Sequence, residues 1–162
     1  MRIIIIIILS TGLLFFSFGA FSGIRKDINI SVYITKKSTS KEVQILGGDI
    51  KYQANYDRKA QRFSHLSVPF SIRSPLSVSD SYDLTLTESI HYCSGSEIMV
   101  QTYLDDDFFK KKDVKKNLIF NHSDDTYKWR KHILGFSFPQ IKQGDSEMQC
   151  YGLVGLMVEL TL

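Results

Sequence analysis

Four histidines and two cysteines are the side chains of this sequence best suited to nucleophilic or metal chemistry. The histidines lie at positions 65, 91, 122 and 132, far apart and without the spacing of a metal-ligand set, which indicates surface or packing residues. His91 lies two residues from Cys93, on the same face of any strand. Its ring would then lie beside the sulfur rather than face it as a base. We predict no catalytic centre from these residues.

An acidic cluster, Asp105–Asp107 with Asp113, is the other candidate for metal chemistry. It lacks the glycine and terminal glutamate of an EF-hand loop, and the neighbouring lysines oppose a bound cation. The sequence also contains no glycine-rich phosphate loop and no G-x-S-x-G motif. We therefore expect no metal, no cofactor and no enzymatic activity. A net charge of +3, from 20 basic and 17 acidic residues, gives no support for nucleic-acid binding.

The N-terminal segment has the pattern of a secretory signal peptide. Met1–Arg2 is a short positive region, Ile3–Phe16 is an apolar region, and small residues between 17 and 22 offer a cleavage site. We predict a signal peptide over residues 1–22 and an exported protein. An uncleaved membrane anchor is the alternative, although a membrane span needs about 20 apolar residues and this stretch is shorter.

The two cysteines, Cys93 and Cys150, form an even pair in a chain with an export signal. In an oxidising compartment such a pair predicts one disulfide, worth about 4 kcal/mol in the chain-entropy account for a loop of this length. Two buried free thiols are the alternative.

Alternation of apolar residues at every second position dominates the rest of the chain. The segment Asp27–Thr35 places Ile28, Ile30, Val32 and Ile34 on one face, which is the period of a β-strand. The segment Cys150–Leu162 likewise aligns Cys150, Val154, Leu156, Val158, Leu160 and Leu162. Strands near both ends of the chain predict a sheet that uses them together, either within one molecule or with a partner.

Two inner segments carry the same alternation. In Phe63–Ile72, Pro69 interrupts the run and predicts an edge strand or a bulge, and Ser74–Pro75 is expected to end the strand. A following segment alternates through Tyr82, Leu84, Leu86 and Ile90 up to Cys93. Seven to nine short strands with frequent turns predict a single all-β sandwich domain.

Several stretches of the sequence resemble subunits of bacterial chaperone–usher fimbriae of the colonization-factor class. They are Lys26–Val32, Ile50–Tyr52 through Arg62–Ser64, Ser89–Cys93, and Gln101–Asp106. The resemblance implies an immunoglobulin-like Greek-key sandwich completed by a donated strand, with a donor-type strand over residues 23–35 and a pilin-like domain over 36–162. It also implies a periplasmic chaperone, an outer-membrane usher, other fimbrial subunits and a host receptor as partners, and passage through the periplasm to the cell surface.

The sequence departs from that family at three points. Thr161 stands where the classical C-terminal motif has an aromatic residue, and Gly152 does not stand at the usual distance from the end. Major subunits of the colonization-factor class typically lack cysteines, so the cysteine pair favours a minor or tip subunit.

The resemblance assigns roles to the two terminal segments. Ile28, Ile30, Val32 and Ile34 are expected to fill the groove of an incomplete sandwich, although the same residues fit an ordinary strand of the chain's own sheet. The terminal strand, with Val154, Leu156, Val158, Leu160 and Leu162, is expected to flank that groove and to receive the chaperone. The alternative function is a self-contained secreted β-sandwich that binds a ligand or inhibits an enzyme.

The segment Asp105–Lys116 lacks strand alternation and has the composition of a solvated loop or a short helical turn. Loops on a rigid sandwich often carry binding residues, so Phe108, Phe109 and Lys110–Lys112 are candidates for recognition, together with the aromatic surface of Trp129. The alternative is that both phenylalanines plug the end of the sandwich, Trp129 lies in the core, and the charges only solvate the loop.

Overall fold

The computed structural model describes residues 29–38, 42–48, 51–143 and 148–161, with the backbone alone for residues 29–31. The predicted signal peptide, Ile28 and Leu162 lie outside these ranges. Every regular element in the described ranges is a β-strand, and none of these residues belongs to a helix that could cross a membrane.

The described residues form thirteen strands, nine of which have four residues or more. In chain order they are β1 (Asn29–Ser38), β2 (Gln44–Gly47), β3 (Tyr52–Asp57), β4 (Arg62–Phe63), β5 (Leu66–Pro75), β6 (Ser81–Cys93), β7 (Ser96–Glu97), β8 (Gln101–Leu104), β9 (Asp107–Phe108), β10 (Val114–Ile119), β11 (His122–Ser123), β12 (Tyr127–Ser137) and β13 (Cys150–Leu160).

These strands form two sheets that pack as a sandwich. The first sheet has the order β10-β6-β13-β1-β3-β4, with β7 paired to β6, and the second has the order β2-β5-β12-β8-β9, with β11 paired to β12. Alternate side chains of both sheets make one buried core, which includes Val68, Ile72, Leu84, Leu86, Leu134, Phe136, Val154 and Val158. The predicted all-β sandwich is confirmed.

β5 is an interior strand, so the edge position or bulge predicted from Pro69 is wrong. It lies between β2 and β12, and its register with β12 has no shift. The strand ends at Pro75, as Ser74–Pro75 predicted. Ile133, opposite Pro69, donates its backbone N–H to Asp105 Oδ1 at 2.9 Å and accepts from the Asp105 N–H at 2.9 Å. The nitrogen of Pro69 therefore points away from β12, beyond the end of β2, which pairs only with Phe70–Arg73. No ladder hydrogen bond is lost there.

A bulge in β6 reverses which of its residues face the core. The pairing with β13 passes from Leu86 to Glu88 and leaves Thr87 without an opposite residue. Even-numbered residues of β6 are buried before the bulge, whereas His91 and Cys93 are buried after it. The expectation that Ile90 continues the buried face is therefore wrong, because Ile90 lies on the opposite face and is half-buried.

The segment after β8 is more ordered than the predicted loop or helical turn. Asp105 and Asp106, with φ values of 50° and 70°, form a two-residue hairpin turn between β8 and β9. Phe109 follows this hairpin and is fully buried, and β10 begins at Val114. Only part of the segment is therefore solvated.

Cys93 and Cys150 are directly opposite each other in the β6–β13 pair and are joined by a disulfide. The predicted disulfide is confirmed, and the alternative of two free thiols is wrong.

Candidate functional site

The first strand lies in the interior of the first sheet, between two partner strands. β1 pairs in parallel with β13 over nine residue pairs and antiparallel with β3 over four. Val32 is 1% exposed and Ile34 packs partly buried against the core, whereas Tyr33 between them is 56% exposed. The predicted face is thus confirmed at Val32 and Ile34. Ile28 and the side chain of Ile30 lie outside the description.

The terminal strand presents the predicted apolar row to the core beside β1. Val154 and Val158 are 0% exposed, Leu156 is 1% exposed, and Leu160 is partly buried against the same core. Leu162 lies outside the described ranges. The row therefore forms part of the surface on which the side chains of β1 pack.

β1 joins the two parts of the first sheet. Among the described strands, none besides β1 lies between β13 and β3. Without β1, the edge of β13 and the edge of β3 would both be unpaired, and the apolar row of β13 would lose its cover on that side. The seat of β1 is therefore a strand-sized groove that is filled here by the chain's own first strand.

The residues predicted as one recognition loop are divided between different places. Phe109 is 0% exposed, so it plugs the sandwich, whereas Phe108 is 46% exposed on the surface. Trp129 is on the outer face of β12, opposite Arg73 of β5, and stacks on His122 with ring centroids 5.8 Å apart. It lies neither in the core nor beside the loop.

Phe108, Lys110 and Lys111 do come together, at the mouth of a pocket of about 570 Å³, and the buried Phe109 lines the same pocket from the core side. This pocket, called the inter-sheet pocket below, opens where β6 of the first sheet faces β8 of the second. Its remaining wall includes Phe138, and its polar lining residues include Ser89 and Thr102. Lys112 and Trp129 do not line it.

A chain of polar side chains leads from the core to this pocket. His91 is 1% exposed, and its Nε2 lies 3.2 Å from Ser89 Oγ, which lies 3.0 Å from Thr102 Oγ1. Burial lowers the pKa of His91 to about 4, so the ring is neutral at pH 7. Its Nδ1 has no hydrogen-bond partner among the described residues and faces Gly152, where a Cβ atom would collide with the ring.

The second buried histidine belongs to a separate network that links the two sheets. His132 Nε2 lies 2.5 Å from the Tyr82 hydroxyl, and its Nδ1 lies 2.6 Å from Asp105 Oδ2. Burial lowers the pKa of His132, although the hydrogen bond with Asp105 opposes that shift, and burial raises the pKa of Tyr82. The Tyr82 side chain is 0% exposed, so this arrangement of Tyr, His and Asp works as a bridge across the core.

Sequence reasoning missed both polar networks. Ser89 and Thr102 lie in strand segments where the alternation signal pointed to no site, and the bulge at Thr87 hid the inward position of His91. The histidines at 91 and 132 do pack in the interior, in agreement with their interpretation as packing residues. His65 and His122 are exposed.

The acidic cluster does not converge on a common point. Asp105 accepts from His132, Asp107 pairs with Lys115 at 3.4 Å, and Asp113 accepts from the Lys110 N–H at 2.8 Å. Across the residues that the structure describes, no group of three or more histidine, cysteine or acidic side chains is placed to hold a metal ion.

These features define the class of protein: a two-sheet all-β sandwich in which β1, the first described strand, lies beside β13, the last described strand. Among solved structures, the chain is similar to the CooA pilin subunit from enterotoxigenic Escherichia coli. The TM-score is 0.46 and the identity 11%, over 72% of this chain and 97% of that chain. No protein-family model and no curated protein matches the sequence.

Proposed function

We propose that the chain is an exported fimbrial subunit that polymerises by strand donation, in which the first strand of one copy fills the groove of the next. One observation carries the proposal: β1 occupies an interior position of the first sheet, where it fills a strand-sized groove between β13 and β3 and places Val32 and Ile34 against the core.

The packing of β1 supports the same function. Val32 is buried on the core side, and Tyr33 is exposed on the other side. Main-chain pairing with two neighbours gives affinity, and alternating side chains in an apolar groove give register. The pairing with β13 is parallel, and parallel pairs are slightly less stable per residue than antiparallel ones. A strand from a second copy that enters in the opposite direction would be antiparallel to β13, where β1 makes nine residue pairs, and parallel to β3, where β1 makes four.

The finer roles follow from this proposal. When β1 has left the groove and no donated strand has entered it, β13 presents its free edge, with Val154, Leu156 and Val158 beside it. This edge is where we place the chaperone. Passage through an usher and assembly with other subunits at the cell surface complete the pathway. A contribution to host adhesion belongs to the same function.

The experiment measures exchange of β1 on the full exported chain. We expect a fluorescent peptide of residues 27–38 to enter the chain slowly and at one copy per molecule, as measured by size-exclusion chromatography. A peptide with Val32→Asp should fail, because a charge in an apolar groove costs several kcal/mol unless it is neutralised. A peptide with Tyr33→Asp is the matched control and should enter, since its position faces outward.

A monomeric chain that never takes up the unmodified peptide, even after mild denaturation and refolding, would contradict strand donation. That result would favour the self-contained secreted sandwich instead.

A further inference from the structure

We propose that the inter-sheet pocket binds an acidic sugar, that is, a pyranose ring that carries one carboxylate. The inference goes beyond assembly and is independent of strand exchange, because the pocket is built from β6, β8, β12 and the segment after β9, at a distance in sequence from β1.

The size and the walls of the pocket fit one small ring ligand. Its volume of about 570 Å³ lies within the range of about 300–1,000 Å³ typical of small-molecule sites. Phe108 and Phe138 contribute aromatic wall, and Phe109 closes the base from inside the core. The C–H face of a pyranose matches such aromatic surface, and its hydroxyl groups remain at the edge of the ring.

The lining provides a polar group at a fixed place. Ser89 Oγ lies 3.2 Å from the Nε2 of the buried His91 and 3.0 Å from Thr102 Oγ1. Whichever atom donates in each of these contacts, Thr102 Oγ1 keeps at least one lone pair that can accept a hydrogen bond from a sugar hydroxyl. Thr102 is 3% exposed and lines the pocket.

The charge at the mouth comes from a single lysine. Lys111 is neutralised by Glu88, with 2.5 Å between Nζ and Oε2. Lys110 has no carboxylate partner within the described part of the chain, and its ammonium lies over the Phe108 ring at 5.3 Å from the centroid. The Asp113 carboxylate accepts from the backbone N–H of Lys110 and forms no ion pair with its ammonium. An ammonium beside an aromatic wall is complementary to a ligand with one negative group.

The test uses the full exported chain and three probes: the methyl glycosides of N-acetylneuraminic acid, glucuronic acid and galactose. We expect the acidic glycosides to shift the amide NMR signals of Thr102, Phe109 and Lys110, and the neutral galactoside to bind about tenfold more weakly. Both acidic probes carry one carboxylate on a pyranose ring. A comparison of their affinities identifies which of the two acidic sugars the pocket prefers.

Variants separate the site from general charge attraction. Lys110→Gln should weaken the acidic probes about tenfold and remove the preference over galactoside. Lys112→Gln is the matched control, since it removes a charge from the same loop outside the pocket, and it should change the affinity less than about twofold. Thr102→Val, which keeps the side-chain shape, should weaken all three probes.

Three results would overturn the proposal. The first is an absence of shifts at the pocket amides with either acidic probe. The second is an equal effect of Lys110→Gln and Lys112→Gln, which would indicate diffuse charge. The third is binding of N-acetyl glutamate amide with the same affinity as the acidic glycosides, which would assign the pocket to acidic peptide side chains.

Discussion

At the scale of single residues, the two interior histidines make stability depend on pH. The folded-state pKa of His91 is about 4, below its value of 6.5 in the unfolded chain, because the interior disfavours the charged ring. The unfolded state therefore binds more protons between these two values, and stability is lost as the pH falls through that window. Burial lowers the pKa of His132 as well, so it acts in the same direction.

We expect His91 alone to lower the unfolding free energy by about 2 kcal/mol at pH 5 relative to pH 7. Urea unfolding at the two pH values measures the loss, and His91→Gln should reduce it by that amount. His122→Gln, at an exposed histidine, should leave it unchanged. Equal pH dependence in the wild type and His91→Gln would show that the buried ring does not control this transition.

At the scale of elements, Lys128 fixes the connection between β5 and β6. This lysine of β12 is 4% exposed and donates to the carbonyl oxygens of Leu76, at 3.4 Å, and Val78, and to the carboxylate of Asp80 at 2.7 Å. The ammonium thus binds residues 76–80 of this connection to β12 of the second sheet. It also lies 5.7 Å from the centroid of the Phe120 ring.

Lys128→Met should destabilise the fold by about 2 kcal/mol, because it leaves two carbonyl oxygens without their donor. It should also speed amide hydrogen exchange over residues 76–80. Asp80→Asn removes an exposed carboxylate from the same cluster and should cost less than about 1 kcal/mol. Similar losses in both variants would mean that the ion pair, not the carbonyl contacts, holds this connection.

The same scale shows how far the sequence predicts this fold. Alternation predicts β5 and β13 correctly, since both are long strands with one buried face. It fails at Ile90, because the bulge at Thr87 shifts the alternation of buried and outward-facing residues by one position. No residue type in the sequence indicates this bulge. It also misjudges Pro69, whose fit depends on where β2 ends, which is a property of the paired strand and not of β5 itself.

The candidate sites were likewise predictable where they depend on one strand, and not where they depend on contacts between segments distant in sequence. The faces of β1 and β13 were predictable because their burial pattern repeats along one strand. The inter-sheet pocket was only half predictable: Phe108–Lys111 stood out by composition, whereas Ser89, Thr102 and Phe138 meet them through contacts between distant segments.

At the scale of the whole molecule, the disulfide closes a loop that contains most of the second sheet. Cys93 and Cys150 are separated by 57 positions, and β7–β12 lie between them, whereas β2 and β5 lie outside. β5 and β12 are neighbours in the second sheet, and β6 and β13 are neighbours in the first. Each sheet therefore contains strands from inside the disulfide loop and strands from outside it. Loss of the crosslink should affect both sheets together.

In the chain-entropy account, a loop of this length stabilises the folded state by about 4 kcal/mol. We expect the double variant Cys93→Ala, Cys150→Ala to lose about that much unfolding free energy in guanidinium, in one cooperative transition for both sheets. Trp129, the one tryptophan of the sequence, lies on the outer face of the second sheet and reports the transition by fluorescence, with far-ultraviolet circular dichroism as the second probe. If the Trp129 fluorescence changes at a lower guanidinium concentration than the circular dichroism signal, the loop closure stabilises the second sheet alone. If the double variant loses less than about 1 kcal/mol, the crosslink does not restrict the unfolded chain.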